Sequence, residues 1–419
     1  MKNLCFLLLF TLSVQVCSAQ TSYLLKPDRV FDGMEMHTNW AVLVSGDRIV
    51  QAGPVNEVKP GAGTTVIELK GQTLLPGLIE GHSHVLLHPY NETTWNDQVL
   101  KESRVERVVR AVSHLNNTLM AGFTTVRDLG TEGAGYDDVG LRQSIEKGLI
   151  VGPRMLVAGP AIVATGSYGP KSNTIELQLI KGAEEADDQN LVKVVRDQIG
   201  HGIDIVKIYA DYGWGLNGSS QPTFLEEEIS RIVRTAQSSG RPVVAHASTA
   251  EGMRRAIRGG VETIEHGDQG TLEIFRLMKD KNVALCPTLA AGDAIAQYRG
   301  WKKGTAEEPE RIRNKRNSFK MALKAGVTIS MGGDAGVFAH GENAREMEMM
   351  VDYGMKAIDV LRSATSVNAD VFHINDQVGR IKTGLFADLI AVDGNPAENI
   401  QAVRQVKLVM KSGKIYKGI

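Results

Sequence analysis

Two histidines close an apolar run: Leu74 to Ile79 leads into Glu80-Gly81-His82-Ser83-His84. Side chains on a strand alternate faces, so His82 and His84 point the same way. Two imidazoles at a strand end suit a metal that takes nitrogen ligands. Further runs end alike: Val243-Val244-Ala245-His246, Thr263-Ile264-Glu265-His266 and Thr328 to Asp334, while Lys207 sits among Ile205, Val206 and Ile208. Each has an ordinary reading alone. A strand-end histidine is usually a satisfied polar residue, Lys207 a snorkelling lysine, Asp334 a cap for the next turn. Six such residues on five strand ends point instead to one shared site.

The elements that must position them alternate. Strands are expected at Leu74–His84, Phe123–Leu129, Met155–Ala158, Ile203–Ala210, Pro242–Ala247, Val261–Gly267, Val283–Pro287 and Val327–Asp334. Helical stretches lie between them, including Arg104–Met120, Asn190–Gly200, Leu225–Gly240, Ala250–Gly259, Leu272–Lys279 and Arg311–Ala325, many stopping at glycine or lysine. This pattern predicts an α/β fold, a (β/α)8 TIM barrel over residues 74–379, whose chemistry gathers at the C-terminal strand ends. A doubly wound sheet is the competing topology, but its phosphate-binding glycine fingerprint is not evident. The chain ends are β-rich: Ala41 to Val44 and Arg48 to Val50 flank Ser45-Gly46-Asp47, and Ala387 to Val392 precedes Val403 to Met410. Neither end could bury a core alone, so residues 20–73 and 380–419 are expected to form one small β-sandwich domain.

Residues 1–19 read as a signal peptide: a basic start, an apolar stretch from Leu4 to Val14, and Cys17-Ser18-Ala19 before the cut. Lipidation at Cys17 is disfavoured because Val16 stands where a lipoprotein signal has a small residue. Cleavage leaves Cys286 as the one cysteine, hence no internal disulfide. Export to the periplasm is the expectation, with no membrane span. A net charge of -1 gives no footprint for nucleic acid. The partner is then a small-molecule or dipeptide substrate, and homo-oligomer formation stays open.

The chain closely resembles the amidohydrolase superfamily of dinuclear metal-dependent hydrolases. The resemblance rests on Pro76-Gly77-Leu78-Ile79-Glu80-Gly81-His82-Ser83-His84, the strand-end ligands, and the tail from Gly379 to Leu389. It implies two divalent ions: one held by His82, His84 and Asp334, the other by His246 and His266, with Lys207 bridging both as a carboxylated lysine. Glu80 stands where many members have aspartate. A lysine among apolar neighbours favours its neutral amine, which can react with carbon dioxide. Asp334 would move the proton of a metal-activated water in hydrolysis of an amide C–N bond. Zinc is the default metal; manganese, cobalt and iron stay open.

Substrate residues are less legible. Arg127, Tyr168, Tyr212 and His340 are candidates, with Lys171, Tyr209 and Trp214 in the same loops. His340-Gly341-Glu342-Asn343 with Glu346 resembles the branch holding Xaa-Pro and Xaa-Arg/Lys dipeptidases and imidazolonepropionase-like members. Single-metal members of that kind do not need the bridging lysine, so Lys207 argues against them. The expected substrates are dipeptides or N-acyl amino acids, with the C-terminal residue released. A cyclic amide of imidazolone or lactam type is the alternative, and a non-catalytic barrel binding protein the third reading.

Overall fold

The computed structural model describes residues 21–174 and 176–418; the expected signal segment, with Cys5 and Cys17, lies outside them. Strands Ser22–Phe31, Trp40–Ser45, Arg48–Pro54 and Thr65–Pro76 join Leu389–Asp393, Val406–Lys411 and Lys414–Lys417 in one eight-stranded sheet, completed by Met36–Thr38. Thr65–Pro76 is the seam: it runs parallel to Ser22–Phe31 and antiparallel to Leu389–Asp393. Apolar residues from both chain ends, among them Leu25, Val42, Leu69, Leu389 and Leu408, bury one shared cluster. Each end alone is a few strands with an open edge, which is marginal in water.

Gly77 carries the chain from this sheet into the parallel strands of the α/β part. Leu78–Ser83 pairs with Phe123–Asp128, which pairs with Arg154–Val157. Val206–Tyr209 pairs with Val243–Ala247, then Thr263–His266, then Ala284–Cys286. Backbone N–H groups of Asp204 and Ile205 donate to Val157 and link the two sets. The segment 327–334 lies between the outer strands, bridging Leu285 at Ile329 and accepting the Gly81 N–H at Met331. The molecule therefore has a TIM-barrel-like α/β fold.

The expected strand Val327–Asp334 forms, among the described residues, only an isolated bridge at Ile329 to Leu285. A Cβ on Gly332 would lie 2.5 Å from Cys286 Sγ and 2.7 Å from the His82 nitrogen, so only glycine allows this approach.

Helices cover the strands. Arg104–Met120 starts at Ser103, whose hydroxyl accepts the Glu106 N–H, and Ala250–Gly259 starts at Thr249 and stops at Gly260 with φ +97°. Leu191–Gly200, Glu226–Gln237, Leu272–Asp280 and Glu310–Ala325 complete the expected set with ends shifted by one to three residues. Two further helices, Leu289–Tyr298 and Ala344–Asp352, follow the last strands and pack near the mouth. Among the described residues no helix is long and apolar enough to cross a membrane.

Candidate active site

His82 and His84 leave the end of Leu78–Ser83 on one face. Their Nε2 atoms lie 3.7 and 3.4 Å from one oxygen, Oδ1 of Asp334. That oxygen is buried, and no hydrogen bond from the described residues satisfies it. The Asp334 N–H donates to the His82 carbonyl at 2.8 Å, with the backbone at φ +66°. Aspartate tolerates this left-handed region, but at a cost that collects at functional sites. Burial raises the Asp334 carboxyl pKa, opposed by the charges of His84 and Lys207.

The far nitrogens of three imidazoles are occupied. His82 Nδ1 lies 2.8 Å from Glu265 Oε2, His84 Nδ1 2.8 Å from the Gly130 carbonyl, and His266 Nδ1 2.7 Å from Thr288 Oγ1. A carbonyl only accepts, so His84 carries its proton on Nδ1 and offers Nε2 to the site. Burial pulls the pKa of His82, His246 and His266 down, His246 to about 3, with the charge of Lys207 adding at His82 and His246. Neutral imidazole is the form that binds metal.

Glu265 was not legible as a site residue, because it precedes His266 on one strand and alternation sends neighbours to opposite faces. His266 sits at φ +77°, which turns its ring back to the mouth while Glu265 stays inside. The His246 and His266 rings are 4.4 Å apart, and Tyr209 stacks on His246 at 4.5 Å. Lys207 is 1% exposed, one layer deeper, with Nζ 5.6 Å from the Tyr209 ring centre. Burial lowers its pKa; Glu265 and Asp334 favour the charged form through the field.

These residues suit divalent cations. Ligand atoms of His82, His266 and Asp334 lie within 4.8 Å of one another, and the set pairs neutral nitrogens with an unpartnered carboxylate oxygen. A second cluster, His82, Glu265 and Cys286, does not suit a metal. Glu265 is already engaged by His82 and Arg127, and burial pushes the Cys286 thiol up, away from thiolate.

The site floors a pocket of about 760 Å³ at the strand ends. Tyr168 and Tyr212 line it as expected, and Tyr209 joins them. The other two substrate candidates, Arg127 and His340, lie outside this lining. Arg127 is 1% exposed and lies beneath the ligands, donating to the Gly81 carbonyl and Glu265 with its guanidinium over the Phe372 ring. Its strand position points it into the barrel interior, not the pocket. His340 stacks on His114 at 4.4 Å and bonds the Leu87 carbonyl, so it packs the loop behind His84. Lys171 and Trp214 also fall outside the pocket lining.

Sequence reading missed Glu132, which lines the pocket at φ +50° and accepts hydrogen bonds from Trp95 Nε1 at 3.0 Å and the Tyr168 hydroxyl at 2.6 Å. The one available signal was an acid within the glycine-rich Gly130-Thr131-Glu132-Gly133 after a strand. Arg299, Arg311 and Lys315 also line the pocket, with Lys315 paired to Asp268. Another cavity of about 660 Å³, lined by Ile257, Glu262, Val283 and His373, opens at the other strand ends and holds none of these residues.

Fold and site together define a class. The sequence matches the amidohydrolase family over residues 73–416, and the chain belongs to it. It is a hydrolase acting on carbon–nitrogen bonds, in a family generally dependent on metal. The chain is 29% identical over 385 residues to the ochratoxinase of Aspergillus niger, covering 82% of this chain and 76% of that protein. A solved Xaa-Pro dipeptidase with bound methionine in its active site is 31% identical, with a TM-score of 0.82 over 95% of this chain and 100% of the other. A prolidase complexed with N-methylphosphonate-L-proline is 28% identical, with a TM-score of 0.80 and the same coverage.

Proposed function

We propose that this is an exported, dinuclear metal amidohydrolase that cleaves dipeptides or N-acyl amino acids and releases the C-terminal residue. One observation carries the reading: the unpartnered Asp334 Oδ1 faces His82 and His84 Nε2 at the floor of an open pocket. The dipeptidase and prolidase likeness supports the substrate class.

His82, His84 and Asp334 would hold one ion, His246 and His266 the other, and zinc would suit this nitrogen-rich set. Lys207 would serve both as a carbamate: its neutral amine bonds carbon dioxide and loses one proton, which gives an anionic oxygen ligand. Bound divalent ions supply Lewis acidity, lowering the pKa of water and polarising a carbonyl. Asp334 takes a proton from the attacking water and delivers it to the amide nitrogen as the C–N bond breaks. The acyl carbon keeps the oxygen, and the amine leaves neutral. Tyr168, Tyr209 and Tyr212 wall one side and limit the entry of further water.

Metal analysis of purified protein, run beside a panel of Xaa-Pro and Xaa-Arg dipeptides, N-acyl amino acids and cyclic amides, tests this. Two ions per chain and turnover of the linear substrates are expected. A preparation active only on lactams or imidazolones would move the substrate to the cyclic class, and a metal-free active enzyme would end the reading.

A further inference from the structure

Thr288 stands at the N-cap position of helix Leu289–Tyr298, yet its side chain makes no cap hydrogen bond. A threonine there ordinarily accepts a backbone N–H from the first turn. Here the hydroxyl lies 2.7 Å from His266 Nδ1 instead. The backbone of Thr288 is left-handed, φ +47° and ψ +50°, which a β-branched residue adopts only when its surroundings impose it.

The first-turn donors go instead to Glu346, fully buried on helix Ala344–Asp352. Its Oε1 accepts the Leu289 N–H at 3.0 Å and its Oε2 the Ala290 N–H at 2.7 Å. These are the first two donors of the helix that Thr288 precedes, otherwise orphaned in a buried place. Burial pushes the Glu346 pKa up to about 8, and these two N–H groups together with the helix dipole pull it back towards the carboxylate. The capping task has passed from Thr288 to a residue on another helix.

We propose that Glu346 is a positioning residue for the metal site: by capping helix Leu289–Tyr298 in place of Thr288, it frees the Thr288 hydroxyl to accept the His266 Nδ1–H. His266 is thereby held as the tautomer with Nε2 open, and its ring is oriented. The inference rests on the dinuclear reading above. Glu346 makes no hydrogen bond to a candidate ligand; its hydrogen bonds go to Leu289 and Ala290, next to Thr288.

Zinc titration of the metal-stripped full chain, followed by calorimetry, tests the relay. Wild type takes up two equivalents. Thr288→Val, which keeps the shape and loses the acceptor, weakens one equivalent by about 10–100-fold, and Thr288→Ser restores it. Glu346→Gln weakens the same equivalent, and the double variant Glu346→Gln/Thr288→Val binds no worse than Thr288→Val alone. If Glu346→Gln does not fold, Glu346→Asp replaces it, with the same loss expected from its shorter reach. A Glu346 variant that lowers the melting temperature while both zinc affinities stay at wild type overturns the relay, as do penalties that multiply in the double variant. Wild type that binds no zinc at all sinks the dinuclear reading instead.

Discussion

Glu265 and His82, 183 residues apart, meet at 2.8 Å inside the barrel, while the other oxygen of Glu265 accepts from Arg127 at 2.8 Å. The guanidinium fixes the carboxylate, the carboxylate fixes the imidazole, and His82 Nε2 is left facing Asp334. Glu265→Gln keeps the shape but removes the charge that holds both neighbours. We expect metal affinity to fall about 10–100-fold, read by equilibrium dialysis, with secondary structure by circular dichroism intact. Unchanged affinity would show that His82 is oriented by packing alone.

Asp334→Asn should lower the turnover rate by about 10²–10⁴-fold, because an amide cannot shuttle the proton. The backbone bond to His82 survives this change, so the thermal midpoint should stay near wild type. Steady-state rates on an N-acyl amino acid beside a melting curve decide it. A rate within a few-fold of wild type would assign proton transfer to another group.

Lys207→Ala should reduce bound metal to one equivalent or none and abolish turnover. In the intact protein, ¹³C-labelled bicarbonate should give one carbamate resonance that is absent from the variant. A fully metallated, active Lys207→Ala protein would remove the bridging role.

Acid should destabilise the metal-free protein through its buried imidazoles. His246 has its pKa lowered from about 6.5 to about 3, so between those values the unfolded chain binds a proton that the folded chain does not. Its contribution is therefore intact above pH 6.5 and declines as pH falls towards 3, at about 1.4 kcal/mol per pH unit. Raised carboxyls such as Glu80, held at about 7, act in the opposite sense, so the variant difference is the clean measure. Urea unfolding of wild type and His246→Gln at pH 6 and pH 5 should differ in slope by about that amount. Parallel pH profiles would mean that His246 is protonated when folded.

Glu132→Ala should leave the buried Tyr168 hydroxyl and the half-buried Trp95 N–H without this partner, costing about 1–3 kcal/mol of stability. The tyrosine wall then loosens while the metal ligands stay in place, so KM should rise more than kcat falls, at unchanged metal content. A drop in metal content would place Glu132 at the ions instead.

The alternating architecture and the ligand candidates were legible from the order of residues alone. Apolar runs ending in His82, His84, His246, His266 and Asp334 are read by period, and period survives whatever the loops do. Lys207 was legible because a charge inside an apolar run has to be explained. The tertiary structure decided which polar residues serve those six. Glu265 was hidden by the alternation rule, which His266 breaks at φ +77°; Thr288 and Glu346 were hidden because a capping exchange between two helices has no local pattern. Arg127 and His340 carried the right chemistry for substrate, and only packing placed one beneath His82 and the other against His114. Strand period fixes which way a side chain leaves the backbone, whereas its partner is set by contacts between segments distant in sequence, made only when the strands pack together.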